Sequence, residues 1–130
     1  TVRTVSEGTI HVVIADDHEI VRQGLVGLLG REPDMQLVGE AANGREAVDL
    51  AYRMRPDVLI MDVSMPLING IEATRQIKAH VPEARVIGLS MATDPDTAER
   101  MRQAGADAYL CKTDSAEELL AAIRGAAAAE

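Results

Sequence analysis

The stretch from Asp57 to Pro66, DVLIMDVSMP, places four apolar residues, Val58, Leu59, Ile60 and Met61, directly before an acid, Asp62. A run this short and this apolar reads as a strand buried on both faces. A carboxylate at the end of such a strand loses hydration, which costs free energy unless it is paired or hydrogen-bonded. Asp62 therefore calls for partners that the rest of the chain has to supply.

Outward from that strand, two patterns alternate. Short β-branched runs stand at IHVVIA (10–15), MQLVGEA (35–41), DVLIM (57–61), ARVIGLS (84–90) and ADAYLC (106–111). Between them apolar residues recur at helical spacing: Val21, Leu25, Leu28 and Leu29; Ala47, Val48, Ala51 and Met54; Ile71, Thr74 and Ile77; Ala98, Met101 and Ala104. A last set, Ala116, Leu119, Leu120 and Ile123, follows the fifth run. Asn43 with Glu46, Asn69 with Glu72, and Ser115 with Glu118 carry the cap-x-x-Glu signal of a helix start. Asp94-Pro95 puts proline at the head of another helix, and Gly105 stands where a helix would end left-handed. Five strands alternating with five helices predict an α/β fold with a doubly wound parallel sheet. The strand order 2-1-3-4-5 is one of its two common solutions, and in either one ligands bind beyond the carboxyl ends of the strands.

Composition bounds what such a domain can do. The 130 residues fit one domain, and 47% hydrophobic residues suffice for a core built without Trp or Phe, since Tyr52 and Tyr109 are the only aromatics. A net charge of −8 argues against direct nucleic-acid binding by this segment, which would need clustered Lys and Arg. The single cysteine, Cys111, excludes an internal disulfide framework, and it reads as a buried small hydrophobe. No apolar run approaches the roughly 20 residues that span a bilayer. Residues 1–9 lack a signal-peptide core and read as a flexible lead, residues 10–124 as the domain, and the Ala-rich 125–130 as a tail or linker start.

At the strand ends stand Asp16 and Asp17 after the first, Asp62 after the third, Ser90 after the fourth and Lys112 after the fifth. Each has an ordinary reading alone: Asp17 and Ser90 as helix caps, Lys112 as a solvated surface lysine. Together they are three carboxylates, a hydroxyl and an ammonium at one edge. Clustered carboxylates raise one another's pKa, and a cation relieves the conflict. Oxygen-only ligands with no His or Cys set nearby select a hard ion, in the pattern of magnesium, for which manganese could substitute. A lone His18 beside the acidic pair reads as a helix-start residue. Asp62, on the central strand, is the best-placed nucleophile toward phosphorus, and the backbone carbonyl of Ser64 is placed as a further metal ligand.

These residues resemble those of the receiver domains of bacterial two-component response regulators, from about Ile10 to Ile123. The resemblance rests on Asp16-Asp17, on Asp62 followed by Met65-Pro66 and Gly70, and on Ser90 and Lys112 with Tyr109 before it. The segments IADDHEIVRQGL and MDVSMP..NGIEA look like the NarL/FixJ branch, whose receivers precede a LuxR-type DNA-binding domain. The resemblance implies a flavodoxin-like five-stranded sheet in the order 2-1-3-4-5. It implies that Asp62 accepts a phosphoryl group from the phosphohistidine of a sensor histidine kinase, with magnesium held by Asp16, Asp17 and Asp62. Lys112 would pair with the phosphoryl oxygens, and Ser90 and Tyr109 would move as switch residues. The surface of helix 4, strand 5 and helix 5, roughly 94 to 124, would then control a homodimer or an output domain. The chain would not be an enzyme beyond its own phosphorylation and slow autodephosphorylation. It would be cytoplasmic, apart from any membrane, and would reach DNA only through an output domain outside these residues.

Three departures from the family pattern stand out. Thr113 follows Lys112 where many receivers have a cis proline, and a cis bond without proline costs ~2.5–4 kcal/mol, which favours trans. Ser90 replaces the commoner threonine, and Met91 stands where alanine is usual. Competing readings are weaker. An aspartyl-nucleophile phosphatase usually has a second Asp two residues after the first, where this chain has Ser64. A flavin module would need a phosphate cradle where this chain has the acidic ADDHE. A degenerate receiver, serving only as a scaffold, would not need the full acidic and lysine set.

Overall fold

Val58–Asp62 forms the central strand of a five-stranded parallel sheet, and all five residues are buried. The computed structural model describes residues 9–91 and 94–128. Along the chain the elements are β1 (Ile10–Ala15), α1 (Glu19–Gly30), β2 (Met35–Ala41), α2 (Gly44–Met54) and β3 (Val58–Asp62). They continue with α3 (Gly70–His80), β4 (Arg85–Ser90), α4 (Pro95–Ala104), β5 (Ala108–Cys111) and α5 (Ala116–Ala128). The strand order is β2-β1-β3-β4-β5, the doubly wound arrangement expected from the sequence.

The sheet divides the core in two because successive side chains on a strand point to opposite faces. Leu59 and Met61, with Val13 and Val86, pack against Ala47 and Ala51 of α2, Ile71 and Ile77 of α3 and Met101 of α4. Val58 and Ile60, with Val12, Ile14 and Ile87, pack against Leu29 of α1 and Leu119 and Ile123 of α5. Both faces are covered, which is why β3 has no polar residue before Asp62.

Four helix starts follow their sequence signals. Asn43 accepts the Glu46 N–H at 2.9 Å, Asn69 the Glu72 N–H at 2.9 Å, Asp94 the Asp96 N–H at 3.2 Å and Ser115 the Glu118 N–H at 3.1 Å. Gly105 closes α4 at φ 113°, in the left-handed region. α1 differs: His18 is its first flanking residue and gives no side-chain cap, so neither Asp17 nor His18 serves that purpose.

Three strand boundaries differ from the sequence reading. β3 begins at Val58, since the Asp57 carboxylate takes the His11 N–H in place of a ladder bond, and it includes Asp62, which pairs with Leu89 of β4. β4 starts at Arg85, since the Ala84 N–H closes a turn on Val81. β5 starts only at Ala108, since the Ala106 N–H is used on Met101 to finish α4. In α1, Val21, Leu25 and Leu28 are half-buried and only Leu29 is buried. α5 continues through Gly125 to Ala128, so the described part of the Ala-rich segment is helical; the lead at 1–8 lies outside the described residues. No helix among the described residues is long and apolar enough to cross a membrane.

Candidate functional site

The carboxyl ends of β1, β3 and β5 deliver three groups to one spot. Asp16 follows β1 and Asp62 ends β3, and both are buried. Lys112 follows β5, and only 5% of its side chain is exposed. Its Nζ lies 2.8 Å from Asp16 Oδ2 and 3.2 Å from Asp62 Oδ1. The lysine is thus a buried ion-pair partner rather than the solvated side chain that its position alone suggested.

Asp16 is fixed by the start of α1. Its Oδ1 accepts the His18 N–H at 2.8 Å, and its carbonyl accepts from Arg22 at 2.7 Å. Asp17 is exposed, and the His18 ring nitrogen Nδ1 stands 3.2 Å from Asp17 Oδ1 and 3.3 Å from Asp16 Oδ1. Ligand atoms of Asp16, Asp17, His18 and Asp62 all lie within 4.8 Å of one another. His18 therefore sits closer to the acidic site than its reading as a helix-start residue alone implied.

Asp62 is the least satisfied member. Its Oδ1 accepts a long 3.3 Å bond from the Ser64 N–H, while its buried Oδ2 has no hydrogen-bond partner among the described residues. Burial, and then the charge of Asp16, raise its pKa from 3.8 to about 6 against the opposing pull of Lys112. Burial would lower the pKa of Lys112, but the Asp16 and Asp62 carboxylates outweigh it and hold the ammonium above its ordinary value. An orphaned carboxylate oxygen among clustered acids is a fit for a hard cation: three of the four grouped donors are carboxylate oxygens, the fourth being the His18 ring nitrogen, and one ammonium is too little charge for three carboxylates.

The loop after β3 is seated by close backbone approach. A Cβ on Gly70 would lie 2.1 Å from the Asp62 carbonyl oxygen, so α3 can start directly beneath the site only with glycine there. Leu67 on the same loop takes φ 69°, a conformation that costs about 1–2 kcal/mol in a residue with a side chain. Ser64 is exposed at the rim of the site.

The remaining sequence candidates sit at the edge. Ser90 ends β4, one residue past Leu89, which pairs with Asp62 in the sheet register. The Ser90 carbonyl accepts the Lys112 N–H at 2.8 Å. Tyr109 is half-buried and pairs in register with Gly88. A Cβ there would come within 3.0 Å of the ring and 2.8 Å of the Met101 methyl, so Gly88 leaves the space that the ring uses. Cys111 is half-buried rather than buried, with Sγ 3.0 Å from the Thr113 hydroxyl. The Lys112–Thr113 bond is trans, as the absence of proline favours.

The chain matches the response regulator receiver domain family over residues 12–124. It belongs to that family. The receiver is 43% identical over 121 residues to the transcriptional regulatory protein LiaR of Bacillus subtilis (strain 168), covering 93% of this chain and 57% of LiaR. It is 40% identical over 116 residues to the response regulator protein VraR of Staphylococcus aureus (strain Mu3 / ATCC 700698), covering 89% of this chain and 56% of VraR. It thus spans little more than half the length of these curated relatives. Among solved structures, a LuxR-family two-component response regulator from Aurantimonas sp. SI85-9A1 superposes with a TM-score of 0.88 at 37% identity, over 92% of this chain and 86% of that one. These likenesses place the receiver in the NarL/FixJ branch.

Two features of the receiver escaped the sequence reading. One is a groove of about 550 Å³ beside the acids, lined by Asp17, Ser64, Met65 and Asn69 and, from α4, Thr97 and Arg100. The i,i+3 spacing of Thr97 and Arg100 was its only sequence trace. The other is a second cluster of charges at the opposite end of the sheet, around Asp57 and Asp107. An acid at the amino end of a strand looks like a boundary residue, and nothing in the sequence pairs it with a partner so distant.

Proposed function

We propose that the domain is the phosphoacceptor switch of a two-component system and that Asp62 is the residue phosphorylated. The observation that carries this is the buried Asp62 carboxylate, one oxygen of which has no hydrogen-bond partner among the described residues, held against Lys112 and Asp16. A carboxylate oxygen left without donors keeps its lone pairs available for attack on phosphorus.

In the reaction, an Asp62 oxygen forms a bond to phosphorus as the phosphorus–nitrogen bond of a kinase phosphohistidine breaks, and the leaving imidazole takes up a proton. Lys112, already within 3.2 Å of Asp62, moves its ammonium from carboxylate to phosphoryl oxygens. Asp16, Asp17, Asp62 and the Ser64 carbonyl would hold magnesium, or manganese in its place. When bound, the ion supplies positive charge that offsets the acids and the transferred group. The Ser90 hydroxyl gives the phosphoryl group a third contact, and Tyr109 follows into the space that Ser90 leaves. Phosphorylation adds roughly −1.5 to −2 charge. A coupling of ~1–3 kcal/mol then shifts the populations of the α4–β5–α5 surface about 5- to 150-fold. That surface would control homodimerisation, or a DNA-binding output domain beyond this segment, in the cytoplasm. Catalysis would extend no further than the domain's own phosphorylation and slow dephosphorylation.

The test is incubation with magnesium and acetyl phosphate or beryllofluoride, read by intact mass and by chemical shifts. One phosphoryl adduct is expected, absent in Asp62→Asn and absent with a chelator. No response in the native domain, or an equal response in Asp62→Asn, overturns the reading. Size-exclusion elution with and without the phosphate mimic tests the dimer separately.

A further inference from the structure

Arg100 lines the groove that opens beside the acidic site and is the only cation among its nine described lining residues. Neighbouring cations on other faces are engaged: Arg102 pairs with Glu99, and Arg75 with Glu72. Arg100 is exposed and has no hydrogen-bond or ion-pair partner among the described residues. Lys112 is buried and faces two carboxylates, so it meets the phosphoryl group only once that group is in the site and not on its approach. The rest of the approach is hostile to anions: Asp17 stands on the groove wall and the chain carries a net charge of −8. The groove, at about 550 Å³, is wide open to solvent, so a small anion can enter it without displacing any side chain.

We infer that Arg100 is the specificity-determining residue by which this site takes a phosphoryl group from a small dianionic acyl phosphate entering along the groove between the β3–α3 loop and α4. The inference rests on the phosphoacceptor reading of Asp62. The guanidinium draws the dianion past Asp17 and, as a planar fork, can hold two phosphoryl oxygens at once. The Asp62 oxygen then bonds to phosphorus, the phosphorus–oxygen bond to the acyl group breaks, and the carboxylate leaves with that electron pair. Arg100 takes no part in bond making; it raises the local concentration of the donor.

The experiment measures the second-order rate constant for phosphorylation of the full chain in magnesium by acetyl phosphate, followed by intact mass. It compares the native protein with Arg100→Gln, Arg100→Lys and Arg53→Gln, the last removing the same charge in the final turn of α2. Arg100→Gln is expected to lower the constant by about threefold to tenfold at low salt. High salt should close the gap, Arg100→Lys should recover most of the loss, and Arg53→Gln should stay close to the native value. Phosphoramidate, a mostly monoanionic donor with a phosphorus–nitrogen bond, should be slowed less. Equal rates for Arg100→Gln and Arg53→Gln, a gap insensitive to salt, or equal slowing with phosphoramidate would each overturn the assignment of Arg100 to an acyl phosphate dianion. A native chain that is never labelled would overturn the reading of Asp62, and this inference with it.

Discussion

The two ends of the sheet hold similar charges and treat them in opposite ways. At the amino end, buried Asp57 accepts the His11 N–H at 2.7 Å. Asp107 accepts the Val86 N–H at 2.8 Å and lies 3.2 Å from Lys78 and 3.5 Å from Arg85. Lys78 also donates to the Pro82 and Ala84 carbonyls. At the carboxyl end, Asp62 accepts one long bond from Ser64, shares one lysine with Asp16 and has an oxygen without a hydrogen-bond partner among the described residues. The first cluster ties β1, β3, β4 and β5 together where the chain needs substitutes for ladder bonds. The second leaves bonding capacity unused where the fold opens to solvent. Unused capacity in a buried acid costs stability, and a site proposed to receive a cation and a phosphoryl group would have to keep it.

Removing the lysine from each end should expose this difference most strongly. Lys112→Met leaves two buried carboxylates facing one another and is expected to destabilise the metal-free domain by about 3–5 kcal/mol at neutral pH. Lys78→Met, at a more exposed site where Arg85 and Val86 still serve Asp107, should cost roughly 1 kcal/mol. Urea unfolding of both variants in chelator checks this, and equal losses would break the comparison. Next in size, Asp57→Ala should cost about 2 kcal/mol by orphaning the His11 N–H, yet leave phosphorylation by acetyl phosphate intact.

Asp62→Asn should act in the opposite direction and stabilise the metal-free domain, by about 1–3 kcal/mol at neutral pH. The sign follows from proton binding. The folded state holds the Asp62 proton up to a pH of about 6, against an ordinary value of 3.8. Its contribution is therefore present below the lower value and lost as pH rises through the upper one. In chelator, native stability should show a falling component across that window, and Asp62→Asn should lack it. Magnesium should remove most of the difference by occupying the native site. The smallest effect is expected at Thr74, which is fully buried on α3 with a hydroxyl that has no partner among the described residues. Thr74→Val should be neutral or stabilising by up to about 1 kcal/mol, measured by thermal unfolding.

Much of this was legible beforehand. The apolar runs at 10–15 and 35–41 are strands over those same residues, although the Met35 N–H also closes a turn on the Glu32 carbonyl at 3.1 Å. The runs at 57–61, 84–90 and 106–111 each lost residues at the start. There Asp57, Ala84 and Ala106 bond to His11, Val81 and Met101, and such competing bonds leave no periodicity to read. The acids and the lysine could be named from their places after strands, since a parallel sheet gathers strand ends whatever fills them. The burial of Lys112, the proximity of the His18 ring and the groove at Arg100 could not, since each depends on side chains from elements far apart in the chain.

By itself, then, the sequence determined the alternation of elements, the two-faced burial of β3 and the identity of the charged residues at its end. These follow from local periodicity and from the cost of placing a carboxylate beside an apolar strand. Tertiary structure alone decided which carboxylate oxygen goes unpaired. Asp57, Asp16 and Asp62 are all buried acids on or beside the inner strands, and composition does not rank them. The ranking comes from geometry: His11 offers an N–H to Asp57, and His18 offers one to Asp16 Oδ1 while the Lys112 ammonium lies 2.8 Å from Asp16 Oδ2; Asp62 Oδ2 has no hydrogen-bond partner among the described residues.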